Sequence, residues 1–389
     1  VGTLDEVTAQ DVLDAASRAA GAQLRSATLR SVHGRPGRSV TRVYEATLLV
    51  EGSTHEVLLV AHLDMRPLPD AAFVLARGED HVAVWRVPHD PFLPGLPSAI
   101  DTDRVRELLD RLDAEQGEVS LRTRAYRPSR RAVVEVRIDG PEAAGRILYL
   151  KVLAGDRASE LADAHRALID HLPVPRLIGV SPEQGILALE ALPGPTLRQA
   201  LHGGSVLPEP DSLVELSSRL AASGFAGRRD PRAFADPRRH VEALQRLAPD
   251  RSELLARVAS MAAEVDGPVV CVHGDLHDGQ LLLGETGEVT GVLDIDGTGQ
   301  GVVAEDAGSL IAHVQAAGEV WPELRDRAEQ YAEKLADAYR PMVGADALAR
   351  ATAGAWIGLA TGPYRAQDPG WEASTRRRID RAAAELGGA

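Results

Sequence analysis

The chain has little of what crosslinks, stacks or spans. It holds one cysteine, Cys271, in 389 residues, so no intrachain disulfide can form, and a lone thiol suits a reducing compartment. Aromatic residues are only 4% of the composition. No apolar run reaches the roughly 18 residues of a spanning helix. The opening VGTLDEVTAQ lacks the basic start and apolar stretch of a secretion signal. These absences lead us to expect a cytoplasmic protein with no membrane partner. Lysine is almost missing as well: of 43 basic side chains only Lys151 and Lys334 are lysines. Against those stand 57 acidic residues, a net charge of −14. Such a surface repels a phosphate polyanion, which excludes nucleic acid as the main partner but not a nucleotide held by local cations.

What is present reads as two or three domains of α+β character. Residues 1–100 are expected to form a small α+β unit of their own, with a helix over 5–22, strands over 40–50 and 55–63 turned at Gly52, and a strand over 81–87. The segment PHDPFLPGLPSAID carries four prolines and is expected to be irregular. Residues 101–192 open on a helix capped by Asp101 and continue as strand, strand, strand, helix, strand, strand. Residues 193–389 are mainly helical, with two short strands, Val269 to Val272 and Val289 to Leu293, set among the helices.

Those two strands each deliver a carboxylate at their end, Asp275 and Asp294, with Gln280 between them. Oxygen ligands from neighbouring strand ends suit a hard cation such as Mg²⁺ carrying a nucleotide phosphate. Asp296 follows Asp294 by two and shares its side if the strand continues. Gly297, Gly299 and Gly301 are expected to loosen the chain beyond it. Asp306 opens a helix, either as a plain N-terminal acid or as a brace for the Asp275 loop. His273 is expected to brace that loop too; metal ligation by His273 and His277 lacks a third His or Cys at suitable spacing. Lys151 sits mid-strand in ILYLKVL, where an ammonium needs a partner. Glu160 on the next helix is the first choice, and Asp163 the second.

The order of these residues carries a resemblance. HGDLHDGQLLL and VTGVLDIDGTGQG are similar to the catalytic and metal loops of small-molecule kinases of the aminoglycoside phosphotransferase and choline kinase type, relatives of protein kinases. EALPGPTL resembles their hinge, and ILYLKVL their phosphate-contacting strand. Gln280 stands where most of that family has asparagine, as in maltokinases and related glucosamine kinases, which also carry an N-terminal cap.

The resemblance implies a bilobal protein-kinase-like fold, with a small β-rich N-lobe and a helical C-lobe behind the cap, and the cofactors ATP and Mg²⁺. Adenine would sit at Glu190 to Leu192. Lys151, paired with Glu160, would bind phosphates; Gln280 and Asp294 would hold the metal; Asp275 would orient the acceptor hydroxyl. YRPSRRAV has no glycine, so its Arg127, Arg130 and Arg131 either cover the phosphates or are surface charges. On the acceptor side stand Asp296 and Asp306, with Glu305 beside them, and Trp356, Tyr364 and Trp371, aromatics that either stack on a sugar or pack the core. The expected acceptor is a sugar or aminosugar, glucosamine first; the other readings are an antibiotic phosphotransferase and a regulatory pseudokinase.

Overall fold

The computed structural model describes residues 6–35, 39–64, 73–77, 80–114, 117–140, 145–227, 231 and 235–387. They divide into two compact units. The first is Val1–Ser159 with Ile178–Glu190 and Tyr364–Pro369; the second is Glu160–Leu177, Ala191–Pro363 and Gly370–Ala389.

The first unit contains two antiparallel sheets. Helix α1 (Glu6–Ala19) lays Ala9, Leu13 and Ala16 on a sheet of β1 (Gln23–Arg35), β2 (Ser39–Val50), β3 (Ser53–Asp64), β4 (Phe73–Arg77) and β5 (Asp80–Arg86), in the order β1-β2-β3-β5-β4. The β2–β3 hairpin closes through Gly52 at φ 84, a left-handed position that glycine adopts at no steric cost. Strands β1 and β4 lie outside the sequence expectation. In β1 two register shifts, near Leu24 and Leu29, break the period-two alternation that marks a strand.

The proline-rich segment is not wholly irregular, as had been expected. It holds a one-turn helix, α2 (Leu96–Ala99), with Pro97 in the first turn, where its missing N–H would have had no helical partner anyway. Helix α3 (Thr102–Arg111) starts where Asp101 accepts the amide hydrogens of Asp103 and Arg104, both at 3.0 Å.

The second sheet runs β6 (Glu118–Arg127), β7 (Arg131–Asp139), β8 (Arg146–Leu153), β10 (Ile186–Glu190), β9 (Leu177–Ser181). Ala132, Val134, Val136, Leu148, Leu150 and Val152 point to one face, and Val105, Leu108 and Leu109 of α3 cover it. Strand side chains alternate, so Lys151, between Leu150 and Val152, belongs to the opposite face. It is level with Val133 on β7 and Leu187 on β10.

Helix α4 (Arg157–Leu168) leads into the second unit, whose other helices are α5 (Leu197–Gly203), α6 (Pro210–Ala222), α7 (Val241–Leu247), α8 (Ser252–Ala262), α9 (Val303–Val320), α10 (Arg325–Val343), α11 (Ala345–Ala360), α12 (Gly362–Ala366) and α13 (Trp371–Glu385). The apolar faces of α7, α8, α9, α11 and α13 meet around Trp356, Ile357, Ile379, Leu255 and Val258. Two ribbons sit among them: β11 (Val269–Val272) with β14 (Gly299–Val302), and β12 (Leu281–Leu283) with β13 (Val289–Val292). This corrects two expectations. The strands ahead of Asp275 and Asp294 are not paired neighbours; each has its own partner. And the glycine-rich stretch after Asp296 is strand β14, because β11 supplies the backbone partners its sparse side chains do not advertise.

Candidate active site

The loop after β11 is fixed by its backbone. Asp306, buried in the first turn of α9, accepts the amide hydrogen of His273 at 2.6 Å and that of Gly274 at 2.8 Å. Burial raises its carboxyl above the usual range, against the pull of His273 and the amides. His273 Nε2 donates to the Leu293 carbonyl at 2.9 Å, which leaves Nδ1 as the bare acceptor, and that atom is buried without a partner among the described residues. Gly274 adopts φ 79, and a Cβ there would stand 2.6 Å from the Gly297 carbonyl, so no larger residue fits. Asp275, half-buried, leaves this loop directly. Asp306, counted above among acceptor-side candidates, is corrected: both its oxygens are committed to the loop.

Gln280 and Asp294 are brought together by a hairpin. Leu281 faces Val292, and the Leu293 amide donates to the Gln280 carbonyl at 2.8 Å, extending the ladder one step towards Asp294. Opposed residues in such ladders lie about 5 Å apart. Asp294 then takes the left-handed conformation, φ 59 and ψ 45, which costs a non-glycine residue roughly 1–2 kcal/mol. The strand ends there; Ile295–Gly297 is a 3₁₀ turn, so Asp296 does not continue a strand on the same side, as had been expected. Gln280 is 3% exposed, and neither Oε1 nor Nε2 of its amide has a hydrogen-bond partner among the described residues. Buried amides are normally matched, and a hard cation on Oε1 would match that oxygen. On this ground the residues present fit Mg²⁺.

One cluster escaped the sequence reading. Donor atoms of His277, Asp278 and His313 lie within 4.8 Å of one another. The third histidine that spacing failed to supply comes from α9, thirty-six residues after His277. Two contacts oppose a cation there. Arg198 holds both oxygens of the fully buried Asp278, through Nε at 3.0 Å and Nη2 at 2.7 Å, and the Gly279 amide occupies Nδ1 of His277 at 3.0 Å. The two imidazoles stack, with centroids 4.6 Å apart. Burial lowers both to about 3, helped at His277 by His313 and Arg198 and at His313 by Arg198 and Arg378. The group therefore ties the Asp275–Gln280 loop to α5 and α9 with uncharged rings. The DLHDGQ motif draws attention to Asp278, but its partner lies eighty residues away and has no spacing signal.

The remaining candidates are spread over both units. Lys151 is buried on β8 in the first unit, while Glu160 begins the segment assigned to the second. Asp163 is exposed and bridges to Arg166 at 2.9 Å. Glu190 accepts from Arg146 at 3.3 Å, and the first unit ends at Glu190 while Ala191 begins a segment of the second. Leu192 lies against Gly291, where an added Cβ would meet its Cδ1 at 2.8 Å. Trp356 is corrected from a sugar-stacking candidate to core: it is 1% exposed and its Nε1 donates to Gln315 at 3.0 Å. Tyr364, in α12, falls in the first unit, and Trp371 opens α13 in the second.

Residues 154–344 match a family profile described as "Phosphotransferase enzyme family". The solved structure of an aminoglycoside phosphotransferase, APH(4)-Ia, in ternary complex with ADP and hygromycin B, is similar at 15% identity and TM-score 0.50, covering 73% of this chain and 99% of that one. A choline/ethanolamine kinase family protein from Mesorhizobium loti is similar at 20% identity and TM-score 0.49, over 73% of this chain and 94% of that one. No curated protein matches the sequence. The fold is thus the protein-kinase-like α+β fold, β-rich towards the N-terminus and helical towards the C-terminus. Residues 154–344 carry the match to that phosphotransferase family, and this stretch marks the chain as a phosphotransferase enzyme. Among the described residues no helix is long and apolar enough to cross a membrane.

Proposed function

We propose that this phosphotransferase moves the γ-phosphoryl group of ATP, with Mg²⁺, to a hydroxyl of a sugar or aminosugar, with glucosamine as the first choice. The observation that carries the metal site is Gln280: a buried amide left unmatched among the described residues, one ladder step from Asp294. Bound Mg²⁺ would neutralise charge on the phosphate oxygens. Lys151, with Glu160 as its proposed partner, holds the phosphates from β8. Asp275 accepts the hydrogen bond of the acceptor hydroxyl and takes its proton as that oxygen bonds to phosphorus and the bond to ADP breaks. Positioning matters more here than base strength, because the transition state is loose. The loop's rigidity, set by Asp306, His273 and the Arg198–Asp278 pair, supports that role.

Glutamine at position 280, the feature shared with glucosamine kinases, favours the aminosugar. A coupled ADP-release screen over sugars, aminosugars and aminoglycosides tests this. Turnover with glucosamine supports the reading. Turnover confined to aminoglycosides replaces it with an antibiotic phosphotransferase, and no turnover with any acceptor, alongside intact nucleotide binding, leaves the pseudokinase. In the active case Asp275→Asn lowers kcat by about 10²- to 10⁴-fold and spares nucleotide binding.

A further inference from the structure

The turn that joins β6 to β7 has a backbone its sequence does not favour. Pro128 and Ser129 are its central residues, closed by the Arg130 amide donating to the Arg127 carbonyl at 3.1 Å. Ser129 adopts φ 58, the position after proline where glycine is the usual choice. A serine there is strained by roughly 1–2 kcal/mol, and something outside the turn has to hold it.

Asp90 does so. It lies in the proline-rich segment just after β5, and it is 2% exposed. Its Oδ2 accepts the Ser129 amide hydrogen at 2.8 Å and the Tyr126 hydroxyl hydrogen at 2.8 Å; its Oδ1 accepts the Phe92 amide hydrogen at 2.9 Å. Tyr126 Oη in turn accepts from Trp85 Nε1 on β5 at 3.0 Å. Trp85 and Phe92 pack edge-to-face, and with Val43, Val60, Ala83 and Tyr126 they close the face of the first sheet that α1 does not cover. One carboxylate therefore joins the N-terminal sheet to the tip of the second.

The position of that tip gives it meaning. Lys151 is level with Val133, and Leu153 with Arg131, where the turn begins. The turn thus starts two residues along from the lysine's row, about 7 Å away. That is within reach of any phosphate the lysine holds. Arg127, Arg130 and Arg365 all lie close enough to His33 of β1 for their charge to lower its imidazole to about 4, behind burial as the main cause. The tip is a concentration of positive charge in a chain of net charge −14.

We propose that Asp90 is the positioning residue for the turn Arg127–Arg131, and that this turn covers the nucleotide phosphates. The N-terminal α+β region then takes part in nucleotide binding through the turn it holds: its carboxylate keeps a serine in the shape a glycine would take unaided. This rests on the nucleotide reading of Lys151 made above.

The test compares wild type, Asp90→Asn, Tyr126→Phe, Ser129→Gly and the Asp90→Asn/Ser129→Gly pair in the full chain. Thermal melts establish that each folds, calorimetry reads Mg·ATP affinity, and steady-state kinetics read both substrates. Asp90→Asn weakens ATP binding and raises its KM about tenfold, as expected for one hydrogen bond to a charged group, with the acceptor KM changed less than about twofold. Tyr126→Phe lowers the melting temperature and leaves the ATP KM near wild type, since the Ser129 contact survives. In the Ser129→Gly background the Asp90→Asn effect shrinks to about threefold or less, because the turn no longer needs holding. Wild type that binds ATP while Asp90→Asn binds it equally well, or shifts both KM values together, or adds its full effect to Ser129→Gly, overturns the anchor and spares the kinase reading. A wild type that binds no nucleotide overturns both.

Discussion

His273 Nε2 and the Leu293 carbonyl meet at 2.9 Å, and through that bond the two loops that carry Asp275 and Asp294 are set in one frame. Leu293 serves both sides: its carbonyl receives the histidine and its amide donates to Gln280 at 2.8 Å. Neither strand pairs with the other, so this single residue does what a shared sheet would have done.

Asp306 completes the frame by accepting the amides of His273 and Gly274. Asp306→Asn keeps the shape but turns an N–H against an N–H. It should cost about 1–3 kcal/mol of stability, with kcat falling further than the loss of folded protein explains. Urea melts and turnover on the same samples separate the two effects.

Asp294 holds φ 59 without being glycine. Asp294→Gly should relieve that strain and raise stability by up to about 1 kcal/mol, while turnover drops by more than about 100-fold as the proposed metal ligand is lost. A variant that is more stable and inactive marks the strain as held for function. One that is less stable, or active, shows it is not.

Gln280 offers the complementary case. Replacing an unmatched buried amide with an apolar side chain of similar length removes a desolvation cost. Gln280→Leu should therefore be at least as stable as wild type without metal, by about 1 kcal/mol, yet need far more Mg²⁺ for turnover. Melts in EDTA and a Mg²⁺ titration of activity read the two halves separately.

Stability should also depend on pH through His277 and His313, both lowered from 6.5 to about 3, chiefly by burial. Unfolded, they take protons near 6.5; folded, only near 3. Between those values the unfolded chain binds more protons. The stability tied to their neutral state is therefore fully present above 6.5 and is lost as pH falls below it, by up to about 1.4 kcal/mol per unit for each ring. Urea midpoints at pH 7.5, 6.5 and 5.5 should show the decline, and His313→Gln should flatten it.

Much of this was legible in the residues. Strand β7 alternates cleanly because one face is packed by α3, and Asp101 announces its helix because a cap is a local interaction. The Asp275, Gln280 and Asp294 loops stand out by chemistry and order. What was not legible depends on distance or on backbone state. Asp278 and Arg198 meet across eighty residues. Gly299–Val302 is a strand only because β11 lies beside it. The left-handed turn at Asp294 ends a strand that apolar pattern alone would carry to Asp296. Trp356 shows a limit of composition: rarity makes an aromatic conspicuous, but burial among Ile357, Ile379 and Leu255 decides what it does.

Cys271, on β11 two residues before His273, is 1% exposed, and burial raises its thiol above the usual value. A thiol so shielded and so hard to ionise reacts slowly with maleimides and oxidants. Cysteines introduced on the surface then become the readily addressed positions. A dye placed on each unit, in otherwise native protein, can then follow the distance between them as nucleotide and acceptor are added.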